Sequence, residues 1–200
     1  MKTYKIYLIR HGATDGNARG EYIGVTDLPL SISGTAALAN LKEKIEYPPV
    51  EKVYTSPLLR CRQTANVIYP NVEAENIENL MEYNFGEFEG KNAVQLESDP
   101  DFFKWTSGQI SSPPGGEDST EFAKRICLGF REVVEDMMVN GIYKSAVIMH
   151  GGAIMTLLSC CAVPRRRSLE WTSDFGRGYS VLVTPSLYHS SGVIEVIEEV

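Results

Sequence analysis

The chain has 200 residues, 43% of them hydrophobic and 22% charged, with a formal net charge of -7. That length suits a single domain spanning 1–200, and a cap-like insertion is expected around 70–118. The acidic balance denies the positive field that nucleic acid or an anionic membrane requires, no apolar run nears the roughly 18 residues of a membrane span, and the N-terminus lacks the pattern of a signal peptide. A cytoplasmic protein with a small-molecule partner is therefore expected.

In chain order, YKIYLIR at residues 4 to 10 reads as a buried strand that feeds a Gly-rich stretch from Gly12 to Gly24. Ser33 then precedes a helical pattern with Ala37, Leu38, Leu41 and Ile45 on one face, ended by Pro48 and Pro49. Residues 53 to 55 (VYT) predict a short strand, and Ser56 with Pro57 predicts an N-cap and first turn opening a helix to about Ile68. The stretch from Pro70 to Pro114 mixes Phe85, Phe88, Phe102, Phe103 and Trp105 with acids and glycine, and ends at the turn PPGGE. An amphipathic helix is expected over Ser119 to Val139. SAVIM, residues 145 to 149, predicts a buried strand ending at His150-Gly151-Gly152, before an apolar helical run. Strands near 179–184 and 193–197 follow. This alternation predicts an α/β sandwich with a largely parallel sheet.

The chain carries three histidines, and His11 and His150 both end buried strands just before glycine. Ligands of open α/β sheets bind at that edge. A lone histidine is more often a satisfied core or loop residue, but two in matching contexts favour a site; His189, in a polar segment, reads as a surface residue. No zinc-like spacing surrounds them. Arg10 beside His11 instead suggests an anion, because a guanidinium offers fixed charge and a planar donor fork suited to phosphate. Arg60 and Arg62, at a helix start, are the candidates for a second cation, against the commoner fate of a solvated helix face. Gly151 and Gly152 would let backbone donors approach the same anion. A general acid is needed for the leaving group, and Glu82, Glu87 and Glu89 remain open on composition alone.

Together LIRHGATDGN, TDLPLS, YTSPLLRCRQTA, LMEYNFGEFEG, PPGGEDSTEFAKR and VIMHGG resemble, in order, the histidine phosphatase superfamily. The resemblance implies a three-layer α/β/α sandwich with a mixed, mainly parallel sheet, phosphoglycerate mutase-like, and no metal or organic cofactor. It implies His11 as nucleophile, Arg10, Arg60 and His150 as the phosphate pocket, and Glu82 as proton donor. Thr14 and Asn17, and with them Gly24 and Gly151, fall in its substrate-binding segments. A protonated His150 would add charge. Ala13 and Gly16 depart from the family's usual Glu and Trp, which touches loop packing more than chemistry.

Compactness between Glu82 and His150, and at the C-terminus, favours a phosphatase acting on a small phosphorylated metabolite over a phosphoglycerate mutase. The insert FFKWTSGQISSPPGGED resembles that of bacterial alpha-ribazole phosphatases, while a broad-specificity sugar or nucleotide phosphatase and a catalytically silent phosphate-binding module are the alternatives. Arg165, Arg166 and Arg167 read as a solvated turn, with a pocket rim as the rival. Tyr143 and Trp171 read as core residues, with a homodimer interface as the rival. Cys61, Cys127, Cys160 and Cys161 are expected to be reduced core residues.

Overall fold

The structure, a computed structural model, describes residues 2–200. Its elements in chain order are β1 (Tyr4–Arg10), α1 (Asp15–Ala18), α2 (Ile32–Lys44), β2 (Lys52–Thr55), α3 (Leu59–Ile68), β3 (Ala74–Asn76), α4 (Ala93–Leu96), α5 (Pro100–Thr106), α6 (Ser119–Asn140), β4 (Lys144–Met149), α7 (Gly151–Cys161), β5 (Ala162–Val163), β6 (Gly178–Val183), α8 (Pro185–Ser191) and β7 (Ile194–Glu199). The strands form one sheet in the order β3-β2-β4-β1-β6-β7-β5. Pairing is parallel through β3, β2, β4 and β1, and antiparallel where β6 joins β1 and β7. The short β5 pairs parallel with β7.

Side chains alternate across the sheet, so each central strand feeds two cores. Ile6 and Leu8 of β1, with Val147 and Met149 of β4, pack against α6 and α7. Tyr7 and Ile9, with Ala146 and Ile148, pack against α2 and α3. Helices on both faces make this a three-layer sandwich. Burying each Leu, Ile or Phe side chain contributes about 1.5–3 kcal/mol, so the central strands are the most strongly held elements.

Helix α6 runs one residue beyond its expected end. Asp118 caps its N-terminus by accepting from the Thr120 and Glu121 amides, and Gly141, at φ 67°, ends it in the left-handed conformation. Its buried stripe, Phe122, Ile126, Phe130, Val133 and Met137, follows the helical period. Two helix starts differ from expectation. Helix α2 is capped by Ser31, whose hydroxyl accepts from Gly34 N at 2.8 Å, and Ser33 is an exposed residue of the first turn. Helix α3 starts at Leu59, because Ser56 is drawn to His150 and the Leu59 amide is satisfied by Asp27 at 2.6 Å.

Between β3 and α6 the chain adds an aromatic cluster that is continuous with the core under α6 and α7. Tyr83, Phe85, Phe102, Trp105 and Phe122 gather around Tyr22, with neighbouring ring centroids 5.1 to 6.2 Å apart. Gly86 fixes the adjoining turn at φ 54°, and a Cβ there would lie 2.2 Å from the Pro114 carbonyl.

The cysteines correct the sequence reading. Cys61 is buried, but Cys127 and Cys161 are half-buried, with sulfurs 3.8 Å apart, and Cys160 is exposed on α7. Trp171 is fully buried against Tyr179, and Tyr143 stacks on Tyr4. Arg165, Arg166 and Arg167 are exposed: Arg165 caps the Cys160 carbonyl, Arg166 lies over Trp171 and Arg167 pairs with Glu170.

Candidate active site

Three parallel strands, β2, β4 and β1, deliver Ser56, His150 and His11 to one edge of the sheet. Arg10 is level with Met149 in the β1–β4 ladder, so the next residue on each strand is a histidine. The His11 amide extends the ladder to the Met149 carbonyl at 2.9 Å, and the two imidazole centroids are 5.2 Å apart. The matching His-Gly contexts are thus neighbours in space.

His11 is 5% exposed. Its Nδ1 lies 2.6 Å from the Gly12 carbonyl, which can only accept. Nδ1 therefore carries the proton and Nε2 keeps its lone pair. Burial pushes the His11 pKa down to about 3, and repulsion from Arg60 and Arg10 outweighs the opposing effect of the Gly12 bond. The ring is a neutral base, held in one tautomer.

His150 is fully buried as the N-cap of α7, with Nε2 2.8 Å from the Ser56 hydroxyl. Burial, then Arg60, then His11 hold its pKa far below the ordinary histidine value. The ligand-free site thus favours the neutral form of His150. In the free site the two guanidinium groups leave no room for a third positive charge.

Arg60 is fully buried and donates from Nη1 to the Thr26 carbonyl at 2.9 Å and from Nη2 to the Gly24 carbonyl at 2.6 Å. Arg62 is exposed, which resolves that pair of candidates. Arg10 donates from Nη1 to the Ser173 carbonyl at 2.7 Å. The Nε groups of Arg10 and Arg60 are buried with no protein acceptor. Burial lowers both pKa values, yet a guanidinium remains charged. A fully buried and a half-buried guanidinium therefore each retain an unpaired Nε donor, an arrangement suited to an anion.

The three acids separate cleanly. Glu87 is exposed. Glu89 is a structural latch whose carboxylate accepts from the Gly24, Val25, Thr26 and Phe85 amides. Glu82 is 7% exposed and accepts from the Tyr83 amide at 2.9 Å and the Gly152 amide at 3.0 Å. Burial raises its pKa and prevails over those two bonds and the attraction of Arg60 and Arg10. Its backbone is pinned by Arg125, which donates to the Asn79, Met81 and Glu82 carbonyls and pairs with Glu117.

Thr14 and Asn17 form a capping box at α1, with Asn17 Oδ1 accepting from the Thr14 amide at 3.1 Å. Both polar groups of Gly24 are engaged within the protein, its amide by Glu89 and its carbonyl by Arg60. That is a supporting place for Gly24, not a contact position. Gly151 and Gly152 are required by close approach: a Cβ at 151 would be 3.2 Å from Arg10 Nε, and one at 152 would be 2.7 Å from the Glu82 carboxylate. His189 is exposed on α8.

Sequence reasoning missed three residues. Ser56 orients His150. Thr64 accepts from the Gly12 amide and donates to the Arg60 carbonyl, joining the two halves of the site. Phe175 sits under the Arg10 guanidinium at 4.0 Å and 5.9 Å from the His11 ring centroid. Ser56 and Thr64 both lay in the motif YTSPLLRCRQTA already singled out, without a role given to either, and Phe175 gave no local signal. Among the described residues no group of three or more His, Cys, Asp or Glu could hold a metal ion, and no helix is long and apolar enough to cross a membrane.

A histidine with its tautomer fixed thus stands with the guanidiniums of Arg10 and Arg60 at the strand ends of an α/β sandwich, an arrangement suited to an anion. The chain belongs to the histidine phosphatase superfamily (branch 1), whose sequence profile matches residues 6–173. It is similar to a broad-specificity phosphatase of Saccharomyces cerevisiae, 28% identical over 161 residues covering 77% of this chain and 68% of the relative. It also resembles the adenosylcobalamin/alpha-ribazole phosphatase of Salmonella typhimurium, 29% identical over 127 residues covering 61% and 63%. The fold matches the crystal structure of a phosphoglycerate mutase from Bacillus anthracis with a TM-score of 0.79, at 20% identity over 98% of this chain and 92% of that one. The chain is a phosphoryl-transfer enzyme of this superfamily.

Proposed function

We propose that the enzyme is a metal-independent phosphomonoesterase that acts on a small phosphorylated metabolite through a phosphohistidine at His11. The observation that carries this reading is the His11–Gly12 bond, which leaves Nε2 as a free nucleophile beside the unpaired Nε donors of Arg10 and Arg60.

In the first step Nε2 of His11 attacks phosphorus in line with the ester oxygen. The forming N–P bond replaces the breaking P–O bond. Charge spreading over the equatorial oxygens meets Arg10, Arg60 and the amides at the start of α7, already fixed before substrate arrives. An arriving phosphate dianion offsets the guanidinium charges and so favours proton uptake by His150. Glu82, whose pKa burial raises, gives its proton to the leaving alkoxide. In the second step the resulting carboxylate takes a proton from water, the water oxygen attacks the phosphohistidine, and inorganic phosphate leaves. Asn17 is assigned to hold a phosphate oxygen with Thr14 as its support, Gly24 supports Arg60 through its carbonyl, and Gly151 admits the anion beside Arg10.

For the substrate, the similarity to the Salmonella enzyme and the aromatic segment beside Glu82 favour alpha-ribazole 5'-phosphate. A broad-specificity phosphatase is the second reading, favoured by the longer match to the yeast relative. The segment 70–118 would act as the cap that forms the substrate wall. A panel of p-nitrophenyl phosphate, alpha-ribazole 5'-phosphate, 3-phosphoglycerate and sugar phosphates, assayed in EDTA for phosphate release and isomerisation, tests this. Preferential release from alpha-ribazole phosphate supports the first reading, even release supports the second, and phosphoglycerate isomerisation without release overturns both.

A further inference from the structure

Arg10 must present unpaired donors to an anion, yet a long flexible side chain has many rotamers. Its Nη1 bond to the Ser173 carbonyl fixes one corner only and permits rotation about that corner. Two further contacts remove this freedom. The Phe175 ring lies beneath the guanidinium, with Cζ 4.0 Å from the ring centroid. The Gly151 backbone is so close that a Cβ there would lie 3.2 to 3.5 Å from Nε, Cζ and Cδ.

Phe175 itself has little latitude. Its loop is tied to β1 by the Gly176 amide on the Arg10 carbonyl at 2.9 Å, and by the Arg10 amide on the Arg177 carbonyl at 2.8 Å. Tyr47 donates to the Gly176 carbonyl at 2.7 Å, anchoring the loop from the α2 side. The half-buried ring is therefore held where it touches both Arg10 and the edge of His11.

We propose that Phe175 is a positioning residue for phosphate recognition, fixing the guanidinium plane of Arg10 so that its free N–H groups face the reacting phosphoryl group. Its π face attracts the cation and repels an anion, so phosphate meets the donor edge of Arg10 and not its face. A guanidinium held in this way loses less freedom when it binds, and the gain is expressed in anion affinity. This rests on the reading of the His11 site as a phosphate site.

The test is orthovanadate inhibition and inorganic phosphate binding in Phe175→Leu, Phe175→Tyr and Phe175→Leu within an Arg10→Ala background. Loss of the π face in Phe175→Leu is expected to weaken both anions about tenfold. Phe175→Tyr should stay within about twofold of the parent, and in the Arg10→Ala background Phe175→Leu should change affinity by less than about twofold. Phe175→Met replaces the leucine variant if thermal unfolding shows that leucine lowers stability. Unchanged affinity in Phe175→Leu, or an equal loss with and without Arg10, overturns the positioning role. Failure of the parent enzyme to bind either anion overturns the phosphate-site reading itself.

Discussion

The Gly152 amide donates to the Glu82 carboxylate at 3.0 Å, and a Cβ at position 152 would lie 2.7 Å from the same carboxylate. The start of α7 thus sets where the Glu82 carboxylate stands, and His150, two residues earlier, is the N-cap of the same helix. Gly152→Ala should push Glu82 out of line and lower kcat by roughly ten- to a hundredfold, because an ångström of misplacement suffices for that. KM should change far less. Steady-state kinetics with p-nitrophenyl phosphate checks this, and wild-type kcat in the variant would refute the coupling.

Burial raises the Glu82 pKa above its ordinary value, against the pull of the Tyr83 and Gly152 amides and of Arg60 and Arg10. A raised pKa means that the acid form survives at pH values where an exposed glutamate is ionised, and is lost as pH rises through the raised value. Activity should therefore fall on the alkaline side, and Glu82→Gln should lower kcat by about 10²–10⁴-fold and abolish that limb. A pH–rate profile that keeps its alkaline limb in Glu82→Gln would assign the limb to another group.

Folding stability should fall in acid because of the two site histidines. Burial pushes the His11 pKa down to about 3 in the folded chain, against the ordinary histidine value of about 6.5 when unfolded, so between those values the unfolded chain binds more protons. The contribution is complete above pH 6.5 and declines as pH falls, at up to about 1.4 kcal/mol per pH unit. His150 acts in the same direction. Glu82, with its pKa raised, acts oppositely. Urea unfolding at pH 7.5 and pH 5 should show a smaller acid loss in His11→Asn than in the parent; equal losses would mean that His11 is not buried neutral.

Arg125 is expected to matter for stability and catalysis together, since it ties Glu117 to the carbonyls that carry Glu82. Arg125→Met strands a largely buried carboxylate and three carbonyls, and should cost about 3 kcal/mol. Chemical denaturation measures it. A loss below about 0.5 kcal/mol would show the network to be solvated, as exposed pairs are.

Much of this was legible from the chain because the signals were local. Strand β1, strand β4 and helix α6 carry strong periodicity, and their ends fall within a residue or so of expectation. The His-Gly contexts of His11 and His150 lay in the sequence, but their adjacency comes from the order of strands, which places β4 beside β1 across more than a hundred residues. Glu82 could not be told from Glu87 and Glu89 by composition, because burial and partner choice separate them: Glu89 is consumed by four amides and Glu87 faces water. Ser56 was misread as a helix cap because its hydroxyl serves His150 instead. The preference of His150 for the neutral form in the ligand-free site was not legible, because burial in the field of two guanidiniums is a three-dimensional property.

The decisive measurement is rapid-quench trapping of the enzyme with phosphate-labelled substrate, followed by peptide mapping. An acid-labile, alkali-stable label on the peptide containing His11, formed within the first turnover and absent in His11→Ala, is the predicted result. Turnover retained by His11→Ala, or label carried by any other residue, would contradict the assignment of His11 Nε2 as the nucleophile.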